Sequence, residues 1–177
     1  MPAAIAYAAL LRGINVGGVK LVMTDLARLC EREGFACVKT YIASGNVVFT
    51  STKKETSVRD ALEGALARHM HKSIPVLVRS AAELEGTVAA NPFPGIAGNR
   101  LLVFFLPDPP PKNVLTGVVS PDGEELAVRG RELYVHYPNG MGRSKLKVPL
   151  WNVGTSRNLN TVAKLAALAR ALAYPGA

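Results

Sequence analysis

The stretch CVKTYIASGNVVFT, from Cys37 to Thr50, decides the fold because it predicts a β-hairpin. Apolar and β-branched residues at 37–42 and 47–50 favour two strands. Between them, Ala43-Ser44-Gly45-Asn46 has the small and polar residues that tight turns require. The two strands are therefore expected to pair with each other.

An amphipathic helix is predicted on each side of this hairpin. The first begins after an N-cap at Thr24 and ends at Gly34, and the second has its apolar stripe at Val58–His69. Outside the helices, apolar residues at Ile5–Leu11 and Ile74–Val78 predict two further strands. The resulting order, β-α-β-β-α-β, is that of the ferredoxin-like unit.

The second half of the chain begins in the same way. A capping box, Ser80-Ala81-Ala82-Glu83, predicts a connecting helix toward Ala90. We place the boundary between two subdomains, 1–90 and 91–177, after this helix. Strands are predicted at 101–106, 125–128 and 133–137, with a short helix at 113–119.

This half ends differently from the first. Instead of a closing strand, the pattern predicts a short segment at Arg143–Trp151 and then a helix at Leu159–Leu172, and it leaves an additional edge strand open. The expected fold class is therefore α+β, with two α-β plait (ferredoxin-like) subdomains. The second is expected to be atypical and closed by a C-terminal helix.

Composition and charge restrict the class of protein. The chain has 177 residues, 49% of them hydrophobic and 19% charged, with a net charge of +8 and a pI near 9.8. Its longest apolar runs, 3–11 and 101–106, are far shorter than the ~20 residues of a membrane-spanning helix, and Arg12 interrupts the candidate core of a signal peptide. We expect a soluble, cytoplasmic protein without a membrane partner. Its basic surface suits nucleic acid, nucleotides or phosphorylated metabolites, with a merely basic solvated surface as the alternative.

The cysteines and histidines form no recognisable metal or redox motif. The spacing of Cys30 and Cys37 matches neither a zinc knuckle nor a CxxC pair, so both are expected to be buried free thiols. The sequence contains no HExxH, no GxSxG elbow and no evident Cys-His pair. No metal site is predicted, the cofactor is unknown, and whether the protein is an enzyme is left open.

The segment LLRGINVGGVK, Leu10–Lys20, places glycines directly after the first strand. Gly13 and Gly18 have the spacing that begins a P-loop, but Val19 stands in the lysine position and Lys20 in the hydroxyl position. A GxGxxG fingerprint is absent as well. Two interpretations stay open, a simple turn or a looser anion site built from glycine amides and adjacent cations. The candidate residues of such a site are Arg12, Gly13, Asn15, Gly17, Gly18 and Lys20.

A second polar segment is expected beside this loop. In a ferredoxin-like sheet the loop after the first strand and the hairpin after the second lie at the same end, two strand spacings or about 10 Å apart. Ser44, Gly45 and Asn46 therefore join the candidate ligand-binding residues, although a tight turn favours the same residue types.

Basic residues near the C-terminus form another candidate site. The segment Arg143–Lys147 is a dense basic cluster, and Arg157 precedes Asn158 at a predicted helix N-terminus. Arg143, Lys145, Arg157 and Asn158 are the candidate ligands here, with helix capping as the alternative role of Asn158. Trp151 is expected to anchor the core rather than to meet a partner.

Four segments spread along the chain share one family's pattern: ALLRGINVGG, TYIASGNVVF, YPNGMGRSKL and GTSRNLNTVAKL. In this order they resemble the signature of the bacterial family called domain of unknown function 1697. The resemblance implies two α-β plait subdomains and supplies no activity. The family usually has Arg-Asn-Trp-Asn, whereas Leu159 stands in the tryptophan position here, so a stacking role for that ring is not expected.

Together these patterns favour a binding function. We expect the protein to bind an anionic, phosphate-bearing small ligand at the end of the first sheet. Non-sequence-specific nucleic-acid binding through the basic patch is one alternative, and a protein-interaction module is another. The sequence determines neither the ligand, nor a reaction, nor the oligomeric state.

Overall fold

The computed structural model describes residues 2–177, which form two four-stranded antiparallel sheets and four α-helices. The strands are β1 Ile5–Leu11, β2 Ala36–Thr40, β3 Asn46–Ser51, β4 Val76–Ser80, β5 Leu101–Phe105, β6 Glu125–Arg129, β7 Glu132–His136 and β8 Thr155–Asn158. The helices are α1 Met23–Arg32, α2 Glu55–Met70, α3 Ala81–Ala89 and α4 Leu159–Ala173, and a short 3-10 helix spans Gly98–Arg100. No helix in this part of the chain has both the length and the apolar composition needed to cross a membrane.

The first sheet has the strand order β2-β3-β1-β4, in which all neighbouring strands are antiparallel. Tyr7 in β1 pairs with Phe49 on one side and with Ser80 on the other. Leu26 of α1 and Leu62 of α2 are buried in the same core as Tyr7 and Phe49. This arrangement confirms the predicted ferredoxin-like plait.

Local capping interactions account for some of the helix boundaries and not for others. Val22 is the N-cap of α1 and makes no side-chain hydrogen bond there, so the predicted cap at Thr24 is wrong. Gly34 follows the helix with φ of +84°, the left-handed conformation that glycine adopts most easily. The capping box before α3 is confirmed, because Ser80 N donates to Glu83 Oε2 at 2.8 Å and Glu83 N donates to Ser80 Oγ at 3.2 Å.

The second sheet repeats the strand order of the first as β6-β7-β5-β8. Its closing strand is β8, so the expectation that this half lacks one is wrong, and the edge strand that the sequence left open is present. Thr155 and Arg157 of β8 pair with Phe105 and Val103 of β5. Strand propensity gives no sign of β8, because TSRN is short and polar, and pairing with β5 is what forms it.

Loops replace the two crossover helices in the second sheet. The segments 106–124 and 137–154 connect its strands without an α-helix. The helix predicted at 113–119 is instead a series of turns, so that prediction is wrong. Gly117, with φ of +78°, has a backbone conformation that a right-handed helix does not contain.

The face of the second sheet that these loops cover forms its own core. Phe104, Leu133 and Val135 of the sheet are buried there. Leu115 from the first loop and Leu146 from the second pack against them. Apolar burial therefore holds the loops on this sheet in the same way that it holds helices on the first.

Contacts divide the chain into two compact units. One unit contains the residues up to Glu85 together with Leu165–Ala177, and the other contains Gly86–Lys164. Helix α4 thus begins in the second unit and ends in the first, where Arg170 forms an ion pair with Glu85 at 3.4 Å. The division into subdomains 1–90 and 91–177 stays a prediction.

The two cysteines are free and differ in exposure. Cys30 is buried in α1, and burial raises the pKa of its thiol to about 12 because the thiolate loses its hydration. Cys37 is exposed, so the expectation of two buried thiols is wrong for this residue. It lies with φ of +53° in an irregular part of the edge strand β2, between the paired residues Ala36 and Lys39.

Candidate functional site

The glycine segment after β1 folds as a tight turn. Val19 N donates to Val16 O at 3.1 Å, and Asn15 N donates to Val19 O at 2.7 Å. The two central residues, Gly17 and Gly18, have φ of +58° and +84°. Positive φ at both central positions is typical of a type I′ turn, which glycine adopts without steric cost. The turn alone is therefore a sufficient reason for these two glycines.

Asn15 ties this turn to the hairpin between β2 and β3. Its Nδ2 donates to the carbonyl oxygen of Leu21 at 3.1 Å and to that of Ala43. Its Oδ1 accepts from Leu21 N at 3.0 Å, and its φ of +57° is one that asparagine tolerates. The side-chain amide of Asn15 is thus engaged in holding the two segments together.

The hairpin also contacts the first strand directly. Leu11 N donates to Gly45 O at 2.8 Å. The bond from Asn15 to Ala43 shows that the loop and the hairpin converge as predicted, closer than the expected separation of about 10 Å. Asn46 is fully buried and donates through Nδ2 to Tyr41 O at 2.9 Å and to Ser44 Oγ at 2.7 Å. These bonds satisfy a buried amide within the hairpin.

The cations of this first candidate site differ in burial. Arg12 is half-buried, and its backbone N–H donates to Pro75 O at 3.0 Å, whereas Lys20 is exposed. Gly13 is exposed with φ of +69° and has open space where a Cβ would lie. The geometry explains how the loop and hairpin are held, and a ligand-binding role for their residues stays a prediction.

Two clefts adjoin the basic segment Arg143–Lys147 of the second unit. The first, here named the lysine cleft, has a volume of about 480 Å³, and the second, the arginine cleft, has a volume of about 490 Å³. Small-molecule sites typically have volumes of about 300–1,000 Å³. The lysine cleft is lined by Lys145, Lys147, Pro149 and residues of the segment 114–121. The arginine cleft is lined by Arg143, Ser144, Lys145, Pro121, Asp122 and Asn139, among others.

Two residues of this segment, Ser144 and Leu146, face inward, and the basic residues beside them face the solvent. Ser144 Oγ donates to the Glu124 carboxylate and accepts from Leu146 N at 3.1 Å. Leu146 packs against the core of the second sheet, while the three basic residues that alternate with these two residues are exposed. The hydrogen bond from Ser144 lowers the pKa of the Glu124 carboxyl, because it stabilises the ionised form.

Arg157 and Asn158 have structural roles, and neither is among the residues of 2–177 that line the two clefts. Arg157 is 8% exposed, and its Nη1 donates to Thr155 Oγ1 at 2.9 Å and to Ser156 O at 2.8 Å. Burial lowers the pKa of its guanidinium to about 10. Asn158 Oδ1 accepts from Thr161 N at 2.9 Å, which is the capping interaction at the start of α4.

Trp151 lies in the same loop as the basic segment and is 63% exposed. The expectation that it anchors the core is therefore wrong. Tyr137 and Val148 of this loop fill the core of the second sheet instead. The indole is thus placed where a ligand or a partner can reach it.

A family model covers most of the chain. The model described as "Protein of unknown function (DUF1697)" matches residues 5–134. The chain belongs to the DUF1697 family. This match confirms the resemblance found in the sequence segments.

The DUF1697 protein is also similar to a solved structure, that of the conserved bacterial protein SP0830 from Streptococcus pneumoniae. The two share 26% sequence identity with a TM-score of 0.79, over 94% of this chain and 99% of that one. A comparison with curated proteins finds no match. The fold and the family are thus established. Neither the description of the family nor that of the solved structure names an activity.

The walls of the two clefts are functional candidates that the sequence patterns do not predict. Val118, Val119 and Pro121 belong to the segment predicted as a helix and its end, and Asp122 and Asn139 belong to turns. One signal for them does exist. Two adjacent valines outside any strand pattern, directly before a Ser-Pro-Asp turn, are apolar residues that a loop leaves near the surface.

Proposed function

We propose that this DUF1697 protein binds a phosphate-bearing small ligand in the lysine cleft. The observation that carries the proposal is that Lys145 and Lys147 line a cleft of small-molecule size, with Arg143 in the adjoining arginine cleft. The end of the first sheet is the less favoured place, because the side chains of Asn15 and Asn46 are engaged there in holding the turns.

The net charge of the chain and the position of its cations support an anionic ligand. The chain carries a net charge of +8, which raises the local concentration of anions. Ser144 is bonded to Glu124, so the backbone that carries the flanking cations is ordered before a ligand arrives, and this ordering adds nothing to the entropy cost of binding. A hydrogen bond to a charged group contributes about 1.5–3 kcal/mol, so removal of either ammonium group should weaken binding measurably.

Calorimetric titration with inorganic pyrophosphate tests this site. The test variant combines Lys145→Ala with Lys147→Ala. The matched control combines Lys72→Ala with Lys164→Ala, which removes the same charge from exposed positions outside both clefts. We expect affinity to fall about hundredfold in the test variant, or about tenfold per ammonium, and less than about threefold in the control.

A third double variant, Arg12→Ala with Lys20→Ala, tests the end of the first sheet and also removes two charges. We expect it to behave like the control. Loss of pyrophosphate binding in this variant alone would move the site to the first sheet. An equal, small loss in all three variants would mean that only the general basic charge attracts the anion.

Binding of single-stranded nucleic acid is the second candidate function, and the exposed Trp151 favours it. Proteins of this kind combine a basic groove with aromatic side chains on which bases stack. Titration with an oligothymidylate, followed by Trp151 fluorescence, tests it. Neutralising phosphates with the three basic residues of Arg143–Lys147 predicts a slope of about −2 for log affinity against log salt. Unchanged Trp151 emission and no binding at low salt would exclude this function.

A further inference from the structure

The lysine cleft offers more than cations to a ligand. Val118, Val119, Pro121 and Pro149 line it, and Val119 is 75% exposed. A phosphate group makes no use of such an apolar wall. A ring system that covers the wall removes apolar surface from water and gains affinity. The cleft therefore fits an anionic ligand that also carries a ring.

The arginine cleft has a polar lining of a different kind. Asp122 N donates to Glu124 Oε2 at 2.9 Å, and Asp122 O accepts from Asn139 Nδ2 at 3.3 Å. Both backbone groups of Asp122 are thus engaged, and its carboxylate is the group left for a ligand. Carboxylates accept hydrogen bonds from sugar hydroxyls, as they do from the ribose in dinucleotide sites. This cleft therefore fits a hydroxylated group.

The two clefts meet at Pro121 and Lys145, which line both of them. A ligand that fills both clefts passes the Lys145 ammonium at the junction, where a phosphate is favoured. Along this path the ligand has a ring at one end, phosphate in the middle and hydroxyl groups at the other end. An acyl phosphate lacks the hydroxyl groups, and a simple sugar phosphate has only the hydroxylated ring and lacks a second, less polar one.

We infer that the ligand is a nucleoside diphosphate sugar. The base lies against the valines and prolines of the lysine cleft, the diphosphate lies at Lys145 and Lys147, and the sugar meets Asp122 and Asn139 in the arginine cleft. The inference rests on the proposed function, because it requires that phosphate binds at Lys145.

The test measures how the full chain binds ligands that lack successive parts of this molecule. The probes are UDP-glucose, ADP-glucose, UDP, inorganic pyrophosphate and octyl phosphate, each titrated by calorimetry at moderate salt. We expect the better of the two nucleoside diphosphate glucoses to bind about tenfold more tightly than UDP, and UDP about tenfold more tightly than pyrophosphate.

Two single substitutions assign these gains to the two clefts. Val119→Asn is expected to lower the affinity for UDP about tenfold and to leave that for pyrophosphate unchanged. Asp122→Asn is expected to reduce the advantage of the diphosphate glucose over UDP, because a neutral amide oxygen accepts hydrogen bonds more weakly than a carboxylate, while the backbone bonds of Asp122 are retained. Val153→Asn, at an exposed valine outside both clefts, is the matched control for the first variant. Urea denaturation shows that each variant is folded.

Each outcome separates this inference from the function on which it rests. Pyrophosphate bound as tightly as every larger probe would overturn the inference and leave the proposed function intact. Octyl phosphate bound more tightly than UDP would assign the apolar wall to an acyl chain, which also overturns it. The inference would also be overturned if the nucleoside diphosphate glucoses bound wild type, Val119→Asn and Asp122→Asn with equal affinity. Failure of every probe to bind would overturn both proposals.

Discussion

Alanine at position 45 places a methyl group where the chain has little room. Gly45 has φ of +88°, and a Cβ there would lie 2.9 Å from Leu11 Cβ and 3.3 Å from Ile14 Cβ. Both neighbouring atoms are attached to the backbone, so rotation of a side chain does not relieve the contact. The left-handed conformation costs alanine about 1–2 kcal/mol, and overpacking costs a further ~1–3 kcal/mol. Gly45→Ala is therefore expected to lower the free energy of unfolding by about 2–5 kcal/mol.

Gly18→Ala is the matched control for this substitution. Gly18 has nearly the same φ, +84°, but open space where its Cβ would lie, so alanine there adds the conformational cost alone. Urea denaturation followed by circular dichroism measures both variants. We expect a loss of about 1–2 kcal/mol for Gly18→Ala. Equal losses in the two variants, or a Gly45 variant as stable as wild type, would refute the steric argument.

Three further predictions concern exposed and ionisable groups. In the native protein Ellman's reagent is expected to modify Cys37 alone, and Cys30 should react only after denaturation. Fast reaction of two thiols in the native state would contradict the structure. Ser144→Ala is expected to destabilise the protein near neutral pH. The lowered pKa of Glu124 contributes stability at pH values above the ordinary carboxyl pKa of 4.5. The difference between variant and wild type in the free energy of unfolding, measured with urea, should therefore shrink as the pH falls below that value. A difference that stays constant with pH would count against the bond. Trp151 fluorescence is expected to be strongly quenched by acrylamide, whereas a blue-shifted, protected emission would mean a buried indole.

Local sequence patterns are sufficient to predict most of the first plait. The unbroken apolar run of β1 predicts a strand buried on both faces, and its residues after Ile5 are indeed buried. The capping box at Ser80 and Glu83 and the glycine at the end of α1 are signals of the same local kind. The strand order then follows from the β-α-β-β-α-β pattern, which is why the contact between the loop and the hairpin was predictable.

The remaining features depend on pairing and packing between distant residues. Strand β8 has no apolar pattern and exists through its register with β5. The exposure of Trp151 and Cys37 was missed because hydrophobicity alone favours burial for both residue types. Arg157, a candidate ligand from its charge and position, is almost fully buried, which its polar side chain gives no reason to expect, and its ligand role stays a prediction. The two clefts arise from loops that no periodicity describes.

The division of helix α4 between the two units has a consequence during translation. A ribosome synthesises residues 86–164 before it synthesises 165–177, and the first unit contains the later segment. The first unit therefore cannot complete its contacts until the whole of the second unit has been synthesised, unlike the usual case in which an N-terminal unit folds before the next one is made.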